Sequence, residues 1–527
     1  MLFNSVEFIF LFLPITLIGY FWLGSPRYAN QPKLKIIWLA ITSLFFYSWW
    51  NPWNLPIILV SLAFNYFWGE ILAGHKGSQN SRKVLLGAGV IANLLLLGYF
   101  KYIDFIFGNI NFVFGTQIQP LNIVLPLGIS FFTFQQIAYL VDAYAGATKE
   151  YDFAKYSLFV TFFPQLIAGP IVHHKDIIPQ LSERSAKPFS QQAMAIGITV
   201  FVAGLFKKVV LADSIATFAN LAFNAAGQGV PLTFSEAWVG ALAYTVQLYF
   251  DFSGYSDMAI GAAYMFGVSL PLNFYSPYKA ISIVDFWRRW HITLSNFLRD
   301  YLYIPLGGSR RGNVRRYGNL LVTMLLGGLW HGAGWTFVIW GGIHGCYLMI
   351  NHGYRGLRKS LGHDLKKDPA ILKGIGWAVT FVAVVVAWVF FRANTPATAF
   401  SMLASMFGAR GIELPNFLES QLGFLRSFGI GFAGFTVNVG ISQKYSVFGT
   451  ALLLMIVWFS PNVYQIMGRY NPSLDELPKE ETSVWSQKLE HLLQWRPNWV
   501  WSAVAGVMMS LSLLCFTRVS EFLYFQF

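Results

Sequence analysis

Charge is what this sequence has least of. Only 12% of its 527 residues are Asp, Glu, Lys or Arg, about half the share of a soluble globular chain, and the deficit runs along the whole length. A soluble protein of three domains, which the length alone would allow, is therefore excluded. Cysteine is nearly absent as well. Cys346 and Cys515 lie in apolar surroundings and match neither a disulfide framework nor a metal-binding spacing. Acidic residues number 24 against 37 basic ones, a net charge of +13. That excess sits in short gaps between apolar runs, the pattern that sets membrane topology. It leaves no soluble basic face for nucleic acid. No basic leader or small-residue cleavage site precedes the first apolar run, so Val6–Leu23 is expected to be a retained helix.

What is present is apolar and aromatic. Hydrophobic residues make up 55% and aromatic ones 18% of the chain, with a mean hydropathy of +0.50, as suits a protein meeting lipid tails and two interfaces. With about 20 residues as the length of a span, candidate spans fall near 6–24, 34–50, 54–73, 84–100, 122–145, 154–173, 193–212, 236–270, 318–350, 374–392, 427–441, 447–467 and 499–517. The runs 236–270 and 318–350 are long enough to be broken or doubled. The expected fold is one all-α polytopic membrane domain over 1–527, with about 11 to 14 transmembrane and re-entrant helices. Arg27, Lys33 and Lys35 mark the first gap and Lys76, Arg82 and Lys83 the third, while the second is uncharged. This alternation puts the basic gaps in the cytoplasm and the N-terminus outside. Residues 468–498 form a long polar segment. From Ile283 to Tyr303, Val284, Trp287, His291, Leu294 and Leu298 recur at helical spacing, which predicts an amphipathic helix lying at an interface or dipping into the protein.

Polar residues inside apolar runs carry a high energetic cost, so three places are candidates for chemistry. His331, in Leu326-Gly327-Gly328-Leu329-Trp330-His331-Gly332, is the first. Burial would keep its imidazole neutral, with a nitrogen free to accept a proton as a general base does. The plain alternative is a histidine bonded to a backbone carbonyl inside a bundle. The second is Asp285-Phe286-Trp287-Arg288-Arg289-Trp290-His291. There His291 could act on acceptor or leaving group, and Arg288 and Arg289 could hold the phosphates of a donor. An ordinary interfacial helix with snorkelling arginines would read the same way. The third is Tyr249 to Asp257, where Asp251, Ser253 and Asp257 could orient a histidine, bind a sugar hydroxyl, or cap a helix resuming at Met258. His344, 13 residues past His331, would lie about 220° away on one continuous helix and reads as structural. The adjacent His173 and His174 diverge by about 100° on a helix, and no spacing suits zinc.

The runs Gln247 to Gly261, Phe286-Trp287-Arg288-Arg289-Trp290-His291 and Leu326 to Gly332 resemble the membrane-bound O-acyltransferases, in particular the bacterial alginate O-acetyltransferase branch. Ile167-Ala168-Gly169-Pro170 and the final Phe522 to Phe527 resemble that branch too, and the densest likeness covers about 125–350. The resemblance implies a helical bundle around a central tunnel, with His331 and His291 as the two family histidines and Trp330 beside them in a supporting role. It implies an acyl thioester donor, acetyl-CoA, taken from the cytoplasm, with no bound cofactor. The acceptor would be an exported polysaccharide such as alginate, reached with the help of extracytoplasmic acetylation proteins from a bacterial inner membrane. One departure is visible: relatives commonly carry an Arg where this chain has His173-His174, so a charged contact is not carried over there. A D-alanyl transferase fed by a carrier thioester, a transporter and a purely structural subunit are the alternatives.

Overall fold

The computed structural model describes the chain except residues 29, 148–151, 182–188, 366, 436–442, 478–483 and 517–527. Phe522–Phe527, part of the family likeness, falls outside the described residues, as do Lys479, Glu480 and Glu481 of the polar segment. In chain order the principal helices are α1 (Phe8–Leu23), α2 (Lys33–Ser48), α3 (Asn54–Gly74), α4 (Gln79–Phe114), α5 (Ile129–Tyr144), α6 (Phe153–Thr161), α7 (Gln191–Gly227), α8 (Phe234–Met265), α9 (Ile283–Trp287) and α10 (Ile292–Leu298). They continue with α11 (Asn313–His331), α12 (Trp335–Ser360), α13 (Ala370–Arg392), α14 (Pro396–Met406), α15 (Gln443–Phe459), α16 (Val484–Leu492) and α17 (Trp499–Leu514). Helices α3, α4, α7 and α13 are long and apolar enough to cross a membrane. The protein is an all-α membrane protein. Its outer helices show lipid-type surfaces: Ile18, Val60, Val84 and Leu95 are exposed, which water would penalise and hydrocarbon does not.

Helix α8 is the buried axis of the bundle. A capping box of Thr233 and Glu236 starts it, satisfying two N-terminal donors reciprocally. It runs 32 residues without a break and packs along α7, with α13 and α15 on other sides. Close packing against α7 requires glycine: a Cβ on Gly204 would lie 2.5 Å from the Gly254 carbonyl oxygen, and one on Gly261 2.6 Å from that of Gly197. Small residues at helix crossings do this in lipid, where no hydrophobic drive favours association. Two aromatic-rich clusters form the core. One joins Phe3, Phe8, Phe46, Phe163, Tyr255 and Trp330; the other joins Phe286, Trp290, Trp340, Trp388 and Phe391.

Several expectations are corrected. The run 236–270 is one helix, not a broken pair, so no cap forms at Met258; its carboxylates Asp251 and Asp257 are paired laterally with lysines instead. The run 122–145 becomes helical only at Ile129, because Pro120 and Pro126 lie in an extended, largely exposed stretch before it. The run 154–173 breaks after Thr161, ahead of Pro164. Near 427–441 there is no span among the described residues. Gly431–Ala433 (β2) instead pairs in parallel with Glu413–Pro415 (β1), Glu413 opposite Gly431. The amphipathic helix over 283–303 is split into α9, a turn, α10 and a π-helical turn at Arg299–Tyr303. The doubled reading of 318–350 agrees with the pair α11 and α12.

Candidate active site

His331 is the last residue of α11, and the chain turns sharply through 332–334 into α12. The two helices touch backbone to backbone. A Cβ on Gly328 would lie 2.2 Å from the Phe337 carbonyl oxygen, and one on Gly341 2.2 Å from that of Met324. The glycines around His331 thus serve helix contact. The imidazole sits at the seam of the two aromatic clusters, its ring centroid 5.0 Å from Trp330, 5.2 Å from Trp340 and 5.1 Å from Phe391. Its Nδ1 is buried without a hydrogen-bond partner among the described residues. His331 keeps 7% of its surface accessible, whereas His291 keeps none, so His331 is the better placed to meet a substrate.

The structure brings the two histidines together, 6.3 Å between ring centroids. His291 stands in the turn between α9 and α10 with φ +43°, a left-handed conformation that costs a non-glycine residue about 1–3 kcal/mol and clusters at functional sites. Asn273 sustains it. The Asn273 carbonyl accepts from Ile292 N–H at 3.0 Å, and its side-chain oxygen lies 3.1 Å from His291 Nδ1 and accepts from the Thr293 hydroxyl at 2.9 Å. With Nδ1–H donating to that amide oxygen, the lone pair resides on Nε2, a tautomer assigned from the hydrogen-bond pattern. The Phe252 ring packs edge-on to His291 at 4.7 Å. Trp330 borders both histidines and stacks on Phe134 at 5.3 Å.

Asp251 and Asp257 occupy another place. Asp251 pairs with Lys208 at 2.5 Å, which also reaches Asp213 at 2.7 Å; Asp257 pairs with Lys207 at 2.6 Å and accepts from the Tyr464 hydroxyl at 2.8 Å. These pairs tie α8 to a π-helical turn, Lys207–Ala212, inside α7. Ser253 is buried in α8 between the two carboxylates. From this stretch it is Phe252, a residue the sequence did not single out, that faces His291.

Arg288 and Arg289 line a cavity of about 1360 Å³ with Lys279, Arg355, Arg358 and Lys373, six basic side chains against the carboxylates of Asp285 and Asp368. Arg289 Nε bonds Asp285 at 2.9 Å. In the loop beyond α12, two hydrogen bonds from Arg358 hold the Asp368 carboxyl below the usual carboxylate range. One face of α12 leads from this cavity to His331: Tyr347, Asn351 and Tyr354 line the cavity, and His344 and Trp340 follow toward the α11 end. Because the chain turns after His331, His344 lies on the return helix. Its ring is 4.9 Å from Trp340 and 5.1 Å from Trp287, and both its nitrogens lack partners among the described residues. His174 pairs with Asp142 at 3.1 Å, and His173 Nδ1 lies 3.1 Å from the Tyr301 hydroxyl.

Sequence reading missed Asn273 and Lys101. Lys101 lies at the edge of the apolar run expected to end at residue 100, and reads there as a flanking charge. In fact α4 continues to Phe114 through a π-helical turn, Gly98–Tyr102, that turns the Lys101 side chain inward to the end of α11. A lysine inside a continuing 36-residue apolar helix is the signal that could have found it.

Comparison with known proteins agrees with this architecture. The profile of the membrane-bound O-acyltransferase family matches residues 142–392, which include both histidines. The peptidoglycan O-acetyltransferase of Helicobacter pylori is 44% identical over 81% of this chain and 83% of its own length. The probable alginate O-acetylase AlgI of Azotobacter vinelandii is 40% identical over 85% of this chain and 86% of its own. The teichoic acid D-alanyltransferase of Streptococcus thermophilus is more distant, 27% identical over 53% and 69%. With the spans, the paired histidines and these likenesses together, the chain belongs to the membrane-bound O-acyltransferase family and is an O-acyltransferase.

Proposed function

We propose that this enzyme takes an acetyl group from acetyl-CoA on the cytoplasmic side of a bacterial inner membrane and delivers it toward a glycan outside. The observation that carries the donor side is the basic cavity, lined in part by α12, the helix that follows His331. Guanidinium groups suit the phosphates of coenzyme A, and basic ends of membrane helices face the cytoplasm. His331 acts as general base. It takes the proton of an acceptor hydroxyl, whose oxygen attacks the thioester carbonyl; the new C–O bond forms as the C–S bond breaks, and the proton passes to the departing thiolate. His291 positions the reacting groups from behind, held by Asn273. Extracytoplasmic acetylation proteins then pass the acetyl group on: a hydroxyl of an exported polysaccharide such as alginate, or of peptidoglycan, attacks the new ester, whose C–O bond breaks as the glycan ester forms, and the hydroxyl's proton returns to the first acceptor's oxygen. The named activities of the two nearer relatives support an O-acetylated glycan, and the lower identity to the D-alanyl transferase argues against that alternative.

The test is the O-acetyl content of exported polysaccharide and of peptidoglycan in a deletion strain carrying wild-type or His331→Ala protein at matched levels. Restoration by the wild type alone is expected, and the polymer that regains acetyl identifies the acceptor. Equal restoration by His331→Ala would overturn the assigned role.

A further inference from the structure

We propose that Lys101 is a positioning residue for His331, resting on the acyltransferase reading above. A helix leaves its last four carbonyls without intrahelical donors, and α11 ends at His331 among the rings of Trp330, Trp340 and Phe391, whose faces offer its carbonyls no donor. The π-helical turn of α4 supplies the donors. The Lys101 amino group donates to the Trp330 carbonyl at 2.5 Å and, more weakly, to that of His331 at 3.4 Å, and it reaches Ser130 Oγ at 3.3 Å. The adjacent Tyr102 hydroxyl donates to the Leu329 carbonyl at 2.9 Å. Three successive terminal carbonyls are thereby held by two neighbouring side chains, 227 to 230 residues away in sequence. The amino nitrogen also stands 5.8 Å from the centroid of the Trp330 ring, which packs against both histidines.

Lys101 and Tyr102 both belong to the five-residue π turn Gly98–Tyr102, and both reach the same helix end. Such single turns recur at functional sites. Lysine suits the task, having three donors on a flexible stem. Because His331 lies at the frayable terminus of its helix, the direction of its ring depends on how firmly that terminus is held.

The decisive experiment compares wild type, Lys101→Met and Tyr102→Phe in purified protein, with two readouts. Amide hydrogen exchange over residues 326–336 should quicken by about tenfold or more in Lys101→Met, as local opening of that turn becomes easier, while the start of α11 is unchanged. Acetyl transfer should lose kcat by roughly 100-fold, with the KM for acetyl-CoA within about twofold, as expected of a small misplacement of a reacting group. Tyr102→Phe should show the same pattern more weakly. In a His331→Ala background, Lys101→Met should have no further effect on residual activity, because residues acting through one another are not additive. Unchanged exchange, or quickened exchange with kcat retained, would overturn the proposal, and so would a multiplicative loss in the double variant. If wild type itself transfers no acetyl group, the functional reading falls instead, and the exchange readout still decides whether Lys101 holds the helix end.

Discussion

Two buried polar regions of this protein have opposite character. Where α7 meets α8, charges are matched: Lys207 with Asp257, and Lys208 with Asp251 and Asp213. Where α11 meets α12, polar atoms face aromatic rings: His331 Nδ1, both nitrogens of His344, and the indole nitrogens of Trp330 and Trp340 have no hydrogen-bond partner among the described residues. Buried charges need partners, and the paired charges of the first region are what a structural joint needs, although Gln247 Oε1 and the Ser256 hydroxyl of α8 also have no hydrogen-bond partner among the described residues. The second has what a binding site needs, since the polar atoms of a substrate can complete it. Motif membership does not separate them, because Asp251 and Asp257 lie in one family-like run and Trp330 and His331 in another.

Substitutions can break that contrast. His331→Ala should lower acetyl transfer by about 10²–10⁴-fold, the usual contribution of a general base, with protein abundance and melting temperature nearly unchanged. Comparable loss of abundance would make the site structural after all. Lys208→Met should do the reverse. It strips two buried carboxylates of their partner and should destabilise by about 3–5 kcal/mol, seen as reduced membrane-inserted protein, while activity per folded molecule persists. Asn273→Ala tests the boundary between the two kinds of region. Removing the acceptor for His291 and Thr293 should reduce kcat by roughly 10–100-fold, with a stability loss of about 1–3 kcal/mol for the buried groups left unmatched. The smallest effect is expected of Arg288→Ala, a several-fold rise in KM for acetyl-CoA that shrinks as salt increases, since charge at an open cavity is screened. A fall in kcat instead would place Arg288 in the chemistry rather than in donor binding.

Much of this was legible in the sequence. The α11 and α12 pair, the long apolar helices and the two histidines follow from run length, helical spacing and motif, all of which are local. The errors also have local causes. Capping is one of the roles open to Asp251, Ser253 and Asp257 in the sequence, because they interrupt an apolar run. They remain inside one helix because Asp251 and Asp257 meet lysines on another helix, 43 and 50 residues earlier in the chain. The helix expected over 283–303 breaks at His291, whose left-handed backbone is held by Asn273, a loop residue with no motif of its own.

The sequence by itself determined that this chain lives in a membrane, which segments are apolar enough to be helices there, and which two histidines to suspect. Those properties depend on side-chain type and near-neighbour spacing. Only the tertiary structure decided which buried polar groups are paired and which are open, that Phe252 and not Asp251 faces His291, and that Lys101 reaches the end of α11. Those outcomes depend on contacts between helices far apart in the chain, where a π turn or a glycine crossing redirects a side chain, and no local pattern encodes them.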